Sequence, residues 1–385
     1  MTSKDSFDHR ALLEKIESIV NDAQNGTLPH DKSIRRRLGQ AGLKLSLAME
    51  APHDTMYRIG NTPLQLALAY VGNEKGIFKF LSEHDDTPLT NEVLARETKI
   101  DPALMSSDDS YGPSNITKNL TSQIGSAGLN FFQAYIAAPQ FLREIGYADV
   151  VDPSFCAWNI AHQTEEPTYK WLQSHPELGE IVADFMAVQR DGLPSFLDAF
   201  AFDQELTEVT SDATPLFVDV GGGMGHQCIA FRQRYPTLPG RVILQDQGHV
   251  IERVESKPLP GFKESGIEAQ IHDFFTPQPI KGARAYYLRN ILHNYTDDAC
   301  RQILEGIKLS MTQHSVILVD EMVLSESHAP ARASQMDMCM FTCLAAKERS
   351  EREWQELLGK AGLRILKQCK YADEFQEAVL VVIPK

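Results

Sequence analysis

The chain has 385 residues, of which 43% are hydrophobic and 23% are charged, the usual balance of a folded globular protein. Its length favours two domains, or one domain with a large extension. The formal charge of -15 would repel a polyanion, which argues against nucleic acid as a partner and favours a small neutral or weakly charged ligand.

The N-terminal part of the chain is predicted to be helical. Apolar residues recur at helical spacing over residues 8–25 and 33–50, which predicts two amphipathic helices. The basic run Arg35–Arg37 is interpreted as a solvated helix face. Residues 64–82 continue the pattern, but two glycines predict a break into two helices there. No apolar run approaches the ~18 residues that a membrane-spanning helix needs, so a cytoplasmic protein without membrane contact is expected.

A polar segment follows at residues 106–115, with the composition of a loop, and a short helix is predicted near residues 115–120. Residues 131–197 again favour helices, with prolines between them. This region carries no catalytic motif. Its apolar faces are expected to form core or subunit contacts, because large apolar surfaces rarely stay solvated.

Strands alternate with helices beyond residue 210. Strands are predicted at 216–220, 241–244, 285–288, 315–319 and 378–383, and helices at 225–235, 297–311 and 351–361. Such alternation with short links predicts an α/β domain with a doubly wound, mostly parallel sheet. We therefore predict a helical N-terminal domain over 1–125, a helical connection over 126–210 and the α/β domain over 211–385.

The turn after the first of these strands is rich in glycine. Asp219 opens the segment DVGGGMG, whose spacing differs from the G-x-G-x-x-G pattern of dinucleotide-binding turns. An acid at this point suits a cationic ligand such as S-adenosylmethionine better than a pyrophosphate. Asp246 ends the second strand, where a carboxylate can accept hydrogen bonds from both hydroxyls of a ribose. A dinucleotide site and a turn without any ligand are the alternatives.

Five segments carry a resemblance to a known family: VDVGGGMG, RVILQD, HDFFTPQPIKGARAYYLRNILHNYTDD, VILVDE and KERSEREWQELLGKAGL. With them, residues 216–383 resemble the plant caffeic-acid-type and fungal small-molecule O-methyltransferases. The resemblance implies a Rossmann-like class I methyltransferase domain with a seven-stranded sheet and a mainly α-helical, winged-helix-like dimerisation domain at the N-terminus. It further implies S-adenosyl-L-methionine as cofactor, a small-molecule substrate and a homodimer.

The resemblance also implies roles for individual residues. The cofactor-binding positions it implies are Gly221 and Gly223 beside the methionine part, Asp246 at the ribose, Asp273 and Phe274 at the adenine, and Arg289 as a basic residue near the cofactor. Asp219, the acid before the glycines, is a further cofactor-binding candidate. The implied general base is His293, which Glu321 and Glu348 orient. An imidazole can accept a phenolic proton near neutral pH, and a carboxylate on its other nitrogen fixes the tautomer.

The residue after the histidine keeps a second reaction class open. The family usually has an acid there, whereas this chain has Asn294. Fungal members of the family include pericyclases that keep S-adenosylmethionine as a bound charge and catalyse dehydration and cycloaddition. The cofactor motifs are common to both reactions and do not separate them. A non-enzymatic dimerising regulator is a third alternative, which the acidic charge disfavours.

The remaining expectations concern the cysteines, the acceptor pocket and one short segment. The six cysteines form no C-x-x-C pair, so free thiols are expected, and Cys339 with Cys343 on one helix face is interpreted as core packing rather than a metal site. No metal is predicted. The segment between Met105 and Tyr111 is shorter than in relatives, which predicts a shortened N-terminal domain.

The acceptor pocket is expected between the α/β domain and the helices of residues 126–200, because apolar ligand pockets tend to form in such clefts. The candidate wall residues are Phe131, Phe132, Tyr135, Trp158, Phe185, Met186, Met336 and Met340.

Overall fold

The computed structural model describes residues 9–24, 27–28, 31–84, 88–104, 110–111, 124–148, 152, 154–188, 194–206, 211–327, 329–373 and 375–385. The chain divides into two compact units, Met1–Leu68 and Ala69–Lys385. The divisions that the sequence suggests at 125/126 and 210/211 stay predictions. Within the described residues, no helix combines the length and the apolar character that crossing a membrane requires. The cytoplasmic location also stays a prediction.

The described residues of the first unit are mostly helical. The helices are α1 (His9–Gln24), α2 (Lys32–Met49) and the first part of α3 (Pro52–Glu74). None of the side chains described in this unit is buried, and apolar ones such as Leu43 and Met56 are 61% and 75% exposed. The helices expected from the apolar spacing are therefore present, but their apolar faces have no cover within the unit.

The predicted break in the third helical segment is confirmed. Helix α3 ends at Glu74 and α4 (Ile77–Ser82) begins after Gly76, which has a φ of 70°. A left-handed conformation of this kind interrupts helical hydrogen bonding and favours glycine.

The second unit opens with more helices. Strands β1 (Leu89–Thr90) and β2 (Ser110–Tyr111) pair antiparallel on either side of α5 (Asn91–Thr98). The described residues that follow contain the helices α6 (Ile124–Glu144), α7 (Ala157–His162), α8 (Thr168–Gln173), α9 (Pro176–Val188), α10 (Phe196–Ala199) and α11 (Phe202–Glu205). The helix predicted near residues 115–120 lies outside the described residues, as does most of the segment predicted to be shortened.

The α/β part contains a sheet of seven strands in the order β5-β4-β3-β6-β7-β10-β9. The strands are β3 (Pro215–Val220), β4 (Arg241–Asp246), β5 (Glu268–Ile271), β6 (Ala285–Arg289), β7 (Val316–Leu324), β9 (Leu363–Ala372) and β10 (Glu377–Pro384). The pairs from β5 to β7 are parallel, and β10 lies antiparallel between β7 and β9. The doubly wound, mostly parallel sheet is thus confirmed. The short β8 (Arg349–Ser350) pairs with β7 outside this path.

Helices cover both faces of the sheet. They are α12 (His226–Arg234), α13 (Gly248–Ser256), α14 (Asp297–Lys308), α15 (Ala331–Leu344) and α16 (Glu351–Lys360). Successive residues of β3 point to opposite faces. Phe217 therefore packs against Phe231 of α12, with ring centroids 4.5 Å apart, whereas Val218 belongs to the opposite core with Ile303 and Leu357.

One strand differs from its prediction in a way that affects the site. The sequence pattern predicts a strand that ends at residue 319, before two acids, but β7 continues through both to Leu324. Asp320 and Glu321 are each 1% exposed. The expectation was wrong because buried partners, which composition does not reveal, accommodate these carboxylates.

Candidate active site

The glycine turn lies between the end of β3 and the start of α12. Gly221, Gly223 and Gly225 have φ values of 75°, 58° and 82°, in the left-handed region. A Cβ atom on Gly221 would lie 2.7 Å from Ile291 Cδ1, so a larger residue would clash there. The Gly221 N–H donates to the Gln245 carbonyl at 2.8 Å, which holds the turn against the end of β4. Gly221 is therefore required on two grounds, its left-handed conformation and the lack of space for a side chain.

Asp219 lies beneath this turn and is 1% exposed. The Cys228 thiol donates to its Oδ2 at 3.6 Å, and a Cβ on Gly222 would lie 2.4 Å from its Cγ. Burial raises the pKa of Asp219 to about 7. The structure thus places this predicted cofactor residue under the turn, buried between Gly222 and Cys228.

Asp246 ends β4 beside the same turn. Its Oδ2 accepts the Gly223 N–H at 2.8 Å and its Oδ1 accepts the Gln247 N–H at 2.7 Å. The carboxylate is part-exposed, and burial raises its pKa. Two backbone amides therefore fix its orientation, while each oxygen keeps a second lone pair for a further donor.

The segment after β5 closes the other side of the turn. Phe274 is half-buried, and its Cε1 lies 3.4 Å from the Cβ position of Gly221. Its ring meets Tyr295 at a centroid distance of 5.8 Å. Asp273 is exposed, and its Oδ1 accepts the Phe275 N–H at 3.0 Å. The structure brings Phe274 directly beside the glycine turn and leaves Asp273 open to solvent.

Arg289 stands at the end of β6, next to the glycine turn in the sheet. Its Nε lies 3.8 Å from Asp320 Oδ2, and the hydroxyls of Tyr287 and Tyr371 donate to the same carboxylate at 2.5 and 2.6 Å. The charge of Arg289 also opposes the rise in the pKa of Asp219. Arg289 therefore lies beside the buried Asp320 side chain on the α12 side of the sheet.

The predicted base and its two acids come together in the structure. His293, in the 3₁₀ turn Leu292–Asn294, is 7% exposed, and its Nδ1 lies 2.8 Å from Glu348 Oε1. Glu321 is more distant, with 3.7 Å from its Oε2 to the same Nδ1. In a neutral imidazole whose Nδ1–H donates to Glu348, the acceptor lone pair is on Nε2. That tautomer suits proton acceptance from a ligand.

Glu321 acts on the backbone more than on the imidazole. Its Oε1 accepts the N–H groups of Ile291 and Leu292 at 2.9 and 2.8 Å, which fixes the turn that carries His293. Burial raises the pKa of Glu321 to about 7, against the opposing charge of His293. The two acids therefore have different contacts, since Glu348 hydrogen-bonds to the imidazole ring and Glu321 to the backbone of the turn.

Two residues that support this arrangement are absent from the sequence predictions. Arg349 is 1% exposed and donates to the carbonyls of Leu292 and Tyr295, both at 3.0 Å. The Asp337 carboxylate accepts the Glu348 N–H at 2.9 Å. The only sequence signal is the charge pattern KERSE, in which Arg349 follows Glu348.

The histidine and the two acids are also compact enough for a metal ion, because one ligand atom of each lies within 4.8 Å of the others. The hydrogen bond between Nδ1 and Glu348 already accounts for this proximity. The expectation of a site without metal stays a prediction.

The predicted pocket walls divide by burial. Trp158 is fully buried and packs 6.1 Å from Phe131, so it belongs to the core of the helical region. Met340 is 8% exposed, whereas Tyr135 and Met186 are 44% and 41% exposed. Phe132 and Met336 are part-exposed, and the side chain of Phe185 lies outside the description.

Comparison with known proteins adds independent findings. A family model for the O-methyltransferase domain matches residues 179–364. The O-methyltransferase lepI of Aspergillus flavus is 34% identical over 96% of this chain and 99% of its own length. The demethylsterigmatocystin 6-O-methyltransferase of the same species is 33% identical over 89% of this chain and 91% of its own length.

Solved structures of similar proteins align with nearly the whole chain. A structure of LepI in complex with S-adenosylmethionine has a TM-score of 0.86 at 31% identity, and one described as a pericyclic reaction enzyme has 0.87 at 32% identity. Each alignment covers 98% of this chain and 100% of the other.

Proposed function

The chain belongs to the O-methyltransferase family and is an S-adenosylmethionine-dependent enzyme, and on that premise we propose that it methylates a hydroxyl group of a small secondary metabolite with His293 as the general base. The fold is that of class I methyltransferases. The observation that carries the proposal is the 2.8 Å contact between His293 Nδ1 and Glu348 Oε1 in a buried, acid-rich setting.

The residues at the glycine turn fit the cofactor. Asp246 presents an oriented carboxylate at the end of β4, as a ribose diol requires, and carries lone pairs beyond those that the Gly223 and Gln247 amides use. Phe274 supplies an apolar ring beside Gly221, where an adenine would pack. When bound, S-adenosylmethionine supplies an electrophilic methyl group on a sulfonium centre.

His293 is proposed to take the proton of the acceptor hydroxyl at Nε2. The Glu348 carboxylate fixes the ring through Nδ1 and stabilises the imidazolium that results, because a charge-assisted hydrogen bond is stronger than a neutral one. Glu321 accepts a hydrogen bond from a backbone amide of the segment that carries His293, and Arg349 donates to a backbone carbonyl of the same segment. The chain's own contribution is therefore to orient the oxygen and accept its proton.

The acceptor is proposed to lie against α15 and α6. Helix α15 packs on the turn Leu292–Asn294 and on α6, and Tyr135 of α6 reaches Cys339 of α15 at 3.2 Å. These walls combine aromatic and sulfur-containing side chains with few charges. Such a lining favours an aromatic or polyketide-derived acceptor.

A homodimer is part of the same proposal. The apolar faces of α1 and α2 are exposed, and a second copy of the chain would cover them. Sedimentation equilibrium would test it, since a purely monomeric protein at micromolar concentration would refute this part.

The decisive experiment incubates the protein with S-adenosylmethionine and a panel of phenolic polyketides. Methyl transfer releases S-adenosylhomocysteine and methylated product one for one. Product formed in the absence of any such release would refute the proposal.

A second candidate is a pericyclase that retains the cofactor and catalyses dehydration and cycloaddition. It is favoured by the full-length similarity to the structure described as a pericyclic reaction enzyme and by Asn294 at the position of the usual acid. Here a fixed sulfonium would stabilise charge on a carbonyl. Turnover without S-adenosylhomocysteine would support this candidate and count against the first.

A further inference from the structure

Several parts of the chain hold the backbone of the turn that carries His293. Glu321 of β7 accepts two N–H groups of this segment, and Arg349 of β8 donates to two of its carbonyls. A buried backbone group without a partner costs about as much free energy as a lost hydrogen bond. The other polar groups of the segment therefore need partners as well, and one of these partners is a side chain of the turn itself.

The segment begins with a residue in a left-handed conformation. Asn290 follows β6 directly and has a φ of 53°, which glycine and asparagine adopt more readily than most residues. Its N–H donates to the Asp320 carbonyl at 3.2 Å, at the end of the pairing between β6 and β7. Its carbonyl accepts a hydrogen bond from Nδ2 of Asn294 at 2.8 Å. The side chain of Asn294 thus links the two ends of the turn.

The hydrogen bond of Asn294 requires an amide. A backbone carbonyl only accepts, so its partner must donate, and the side-chain amide of asparagine donates whereas an ionised carboxylate does not. The main-chain N–H of Asn294 also donates, to the Ile291 carbonyl at 3.1 Å, so this residue closes the turn twice. His293 lies between these contacts, and its Nδ1 is 2.8 Å from Glu348. The direction of the ring therefore depends on the shape of the turn.

We propose that Asn294 is a positioning residue, whose side-chain amide closes the turn over the left-handed Asn290 and so fixes the ring of His293. In this role it acts through the imidazole rather than on the reacting atoms. The asparagine in place of the usual acid is then a requirement of this turn and does not by itself indicate a different reaction. The closure of the turn is independent of the reaction, whereas its effect on methyl transfer rests on the proposed function.

The test replaces the amide by a carboxyl group of nearly the same shape, in Asn294→Asp. An ionised carboxylate beside the Asn290 carbonyl should open the turn, whereas the protonated acid can donate and restore the bond. We expect kcat/KM for methyl transfer to fall by about tenfold at pH 8. The ratio of variant to parent enzyme should rise towards one as the pH is lowered to 5.5. The nearby acids Glu321 and Glu348 favour the protonated form further.

Two other variants separate this pH signature from other causes. Asn294→Ala removes the donor at every pH, so its ratio to the parent enzyme should be low and constant. Gln313→Glu adds the same charge to an exposed side chain before β7 and should leave kcat/KM unchanged. Faster methyl transfer by Asn294→Asp than by the parent enzyme would overturn the proposal, because the position would then be that of a lost acid. A ratio for Asn294→Asp that stays constant with pH would overturn it too.

Urea unfolding gives a readout that does not depend on activity. The protonated carboxyl group makes its bond only in the folded state, which therefore binds this proton more tightly than the unfolded state does. Relative to the parent enzyme, Asn294→Asp should lose stability as the pH rises from 5 to 8, and Asn294→Ala should show a constant difference. Equal pH slopes for these two variants would overturn the closure of the turn. Parent enzyme that methylates no acceptor would count against the proposed function, and the unfolding slopes would still decide whether Asn294 closes the turn.

Discussion

The proposed cofactor side of the site, at the glycine turn, and the proposed base side, at His293, are held in place by different kinds of contact. At the glycine turn, Asp246 is oriented by the backbone amides of Gly223 and Gln247, which are near it in the sheet and in the motif. At the base, His293 is oriented by side chains from β7 and from the segment before β8. The first arrangement follows from a local turn, whereas the second requires the whole sheet to be in place and buries two acids at 1% and 2% exposure. A substitution on one side should therefore leave the geometry of the other side unchanged.

The largest expected effect comes from His293→Ala. Loss of the base should lower kcat for methyl transfer by about a thousandfold, because general base catalysis contributes factors of that order. The Kd for S-adenosylhomocysteine should change by less than about twofold, since no residue of the glycine turn is altered. Rates of S-adenosylhomocysteine release and calorimetry measure the two quantities. A variant with full activity would refute the assignment of the base.

The converse change is Asp246→Ala on the cofactor side. It should weaken S-adenosylhomocysteine binding by about a hundredfold, because two hydrogen bonds to a charged acceptor are lost, at about 1.5–3 kcal/mol each and partly offset by water. Asp298→Ala is the matched control, since that side chain is 93% exposed and pairs only with Arg301 among the described ion pairs. If both variants bound equally well, the ribose role of Asp246 would be wrong.

A smaller effect is expected from Arg349→Lys. Lysine keeps the charge but cannot hold the carbonyls of Leu292 and Tyr295 together with Asp297, because it lacks the planar fork of donors. We expect kcat to fall by about tenfold, with little change in the Kd of the cofactor.

The control for Arg349 is Arg352→Lys, whose side chain is 70% exposed. A purely structural role would lower stability without altering the pH profile of kcat/KM. A positioning role should shift that profile, because the imidazole would lose its fixed distance to Glu348.

The fold and the geometry of the glycine turn were predictable because their signals are local. The alternation of strands and helices gave the sheet, and DVGGGMG with RVILQD gave the turn and its acid. Strands β5 and β9 were missed, since β5 is short and half-exposed and β9 alternates apolar with charged residues. Their place depends on pairing with neighbouring strands, which sequence patterns near β5 and β9 do not encode.

The cluster of His293, Glu321 and Glu348 was predictable only through family resemblance. No spacing rule connects His293 with Glu348, which are far apart in the chain and meet through the packing of β7, β8 and the 3₁₀ turn. The role of Glu321 at the backbone, and the presence of Arg349 and Asp337, emerge only from the fold. The sequence alone does not distinguish buried charged residues of this kind from charged residues on the surface.

The smallest expected effect lies in the pH dependence of stability, where each side contributes one buried acid. Burial raises the pKa of Asp219 and of Glu321 to about 7, from ordinary values of 3.8 and 4.5. At pH values between the ordinary and the raised pKa of each acid, the folded state binds more protons than the unfolded state. Both acids therefore make the free energy of unfolding fall as the pH rises towards 7.

Glu321→Gln and Asp219→Asn should each make that decline shallower, by at most about 1.4 kcal/mol per pH unit. Urea unfolding at several pH values from 5 to 8 measures the slope. If the two sides are independent, the double variant should show the sum of the two changes, because distant sites without shared partners add. A double variant no flatter than either single one would mean that the glycine turn and the turn of His293 titrate as one network, and the separation of the two sides would then be wrong.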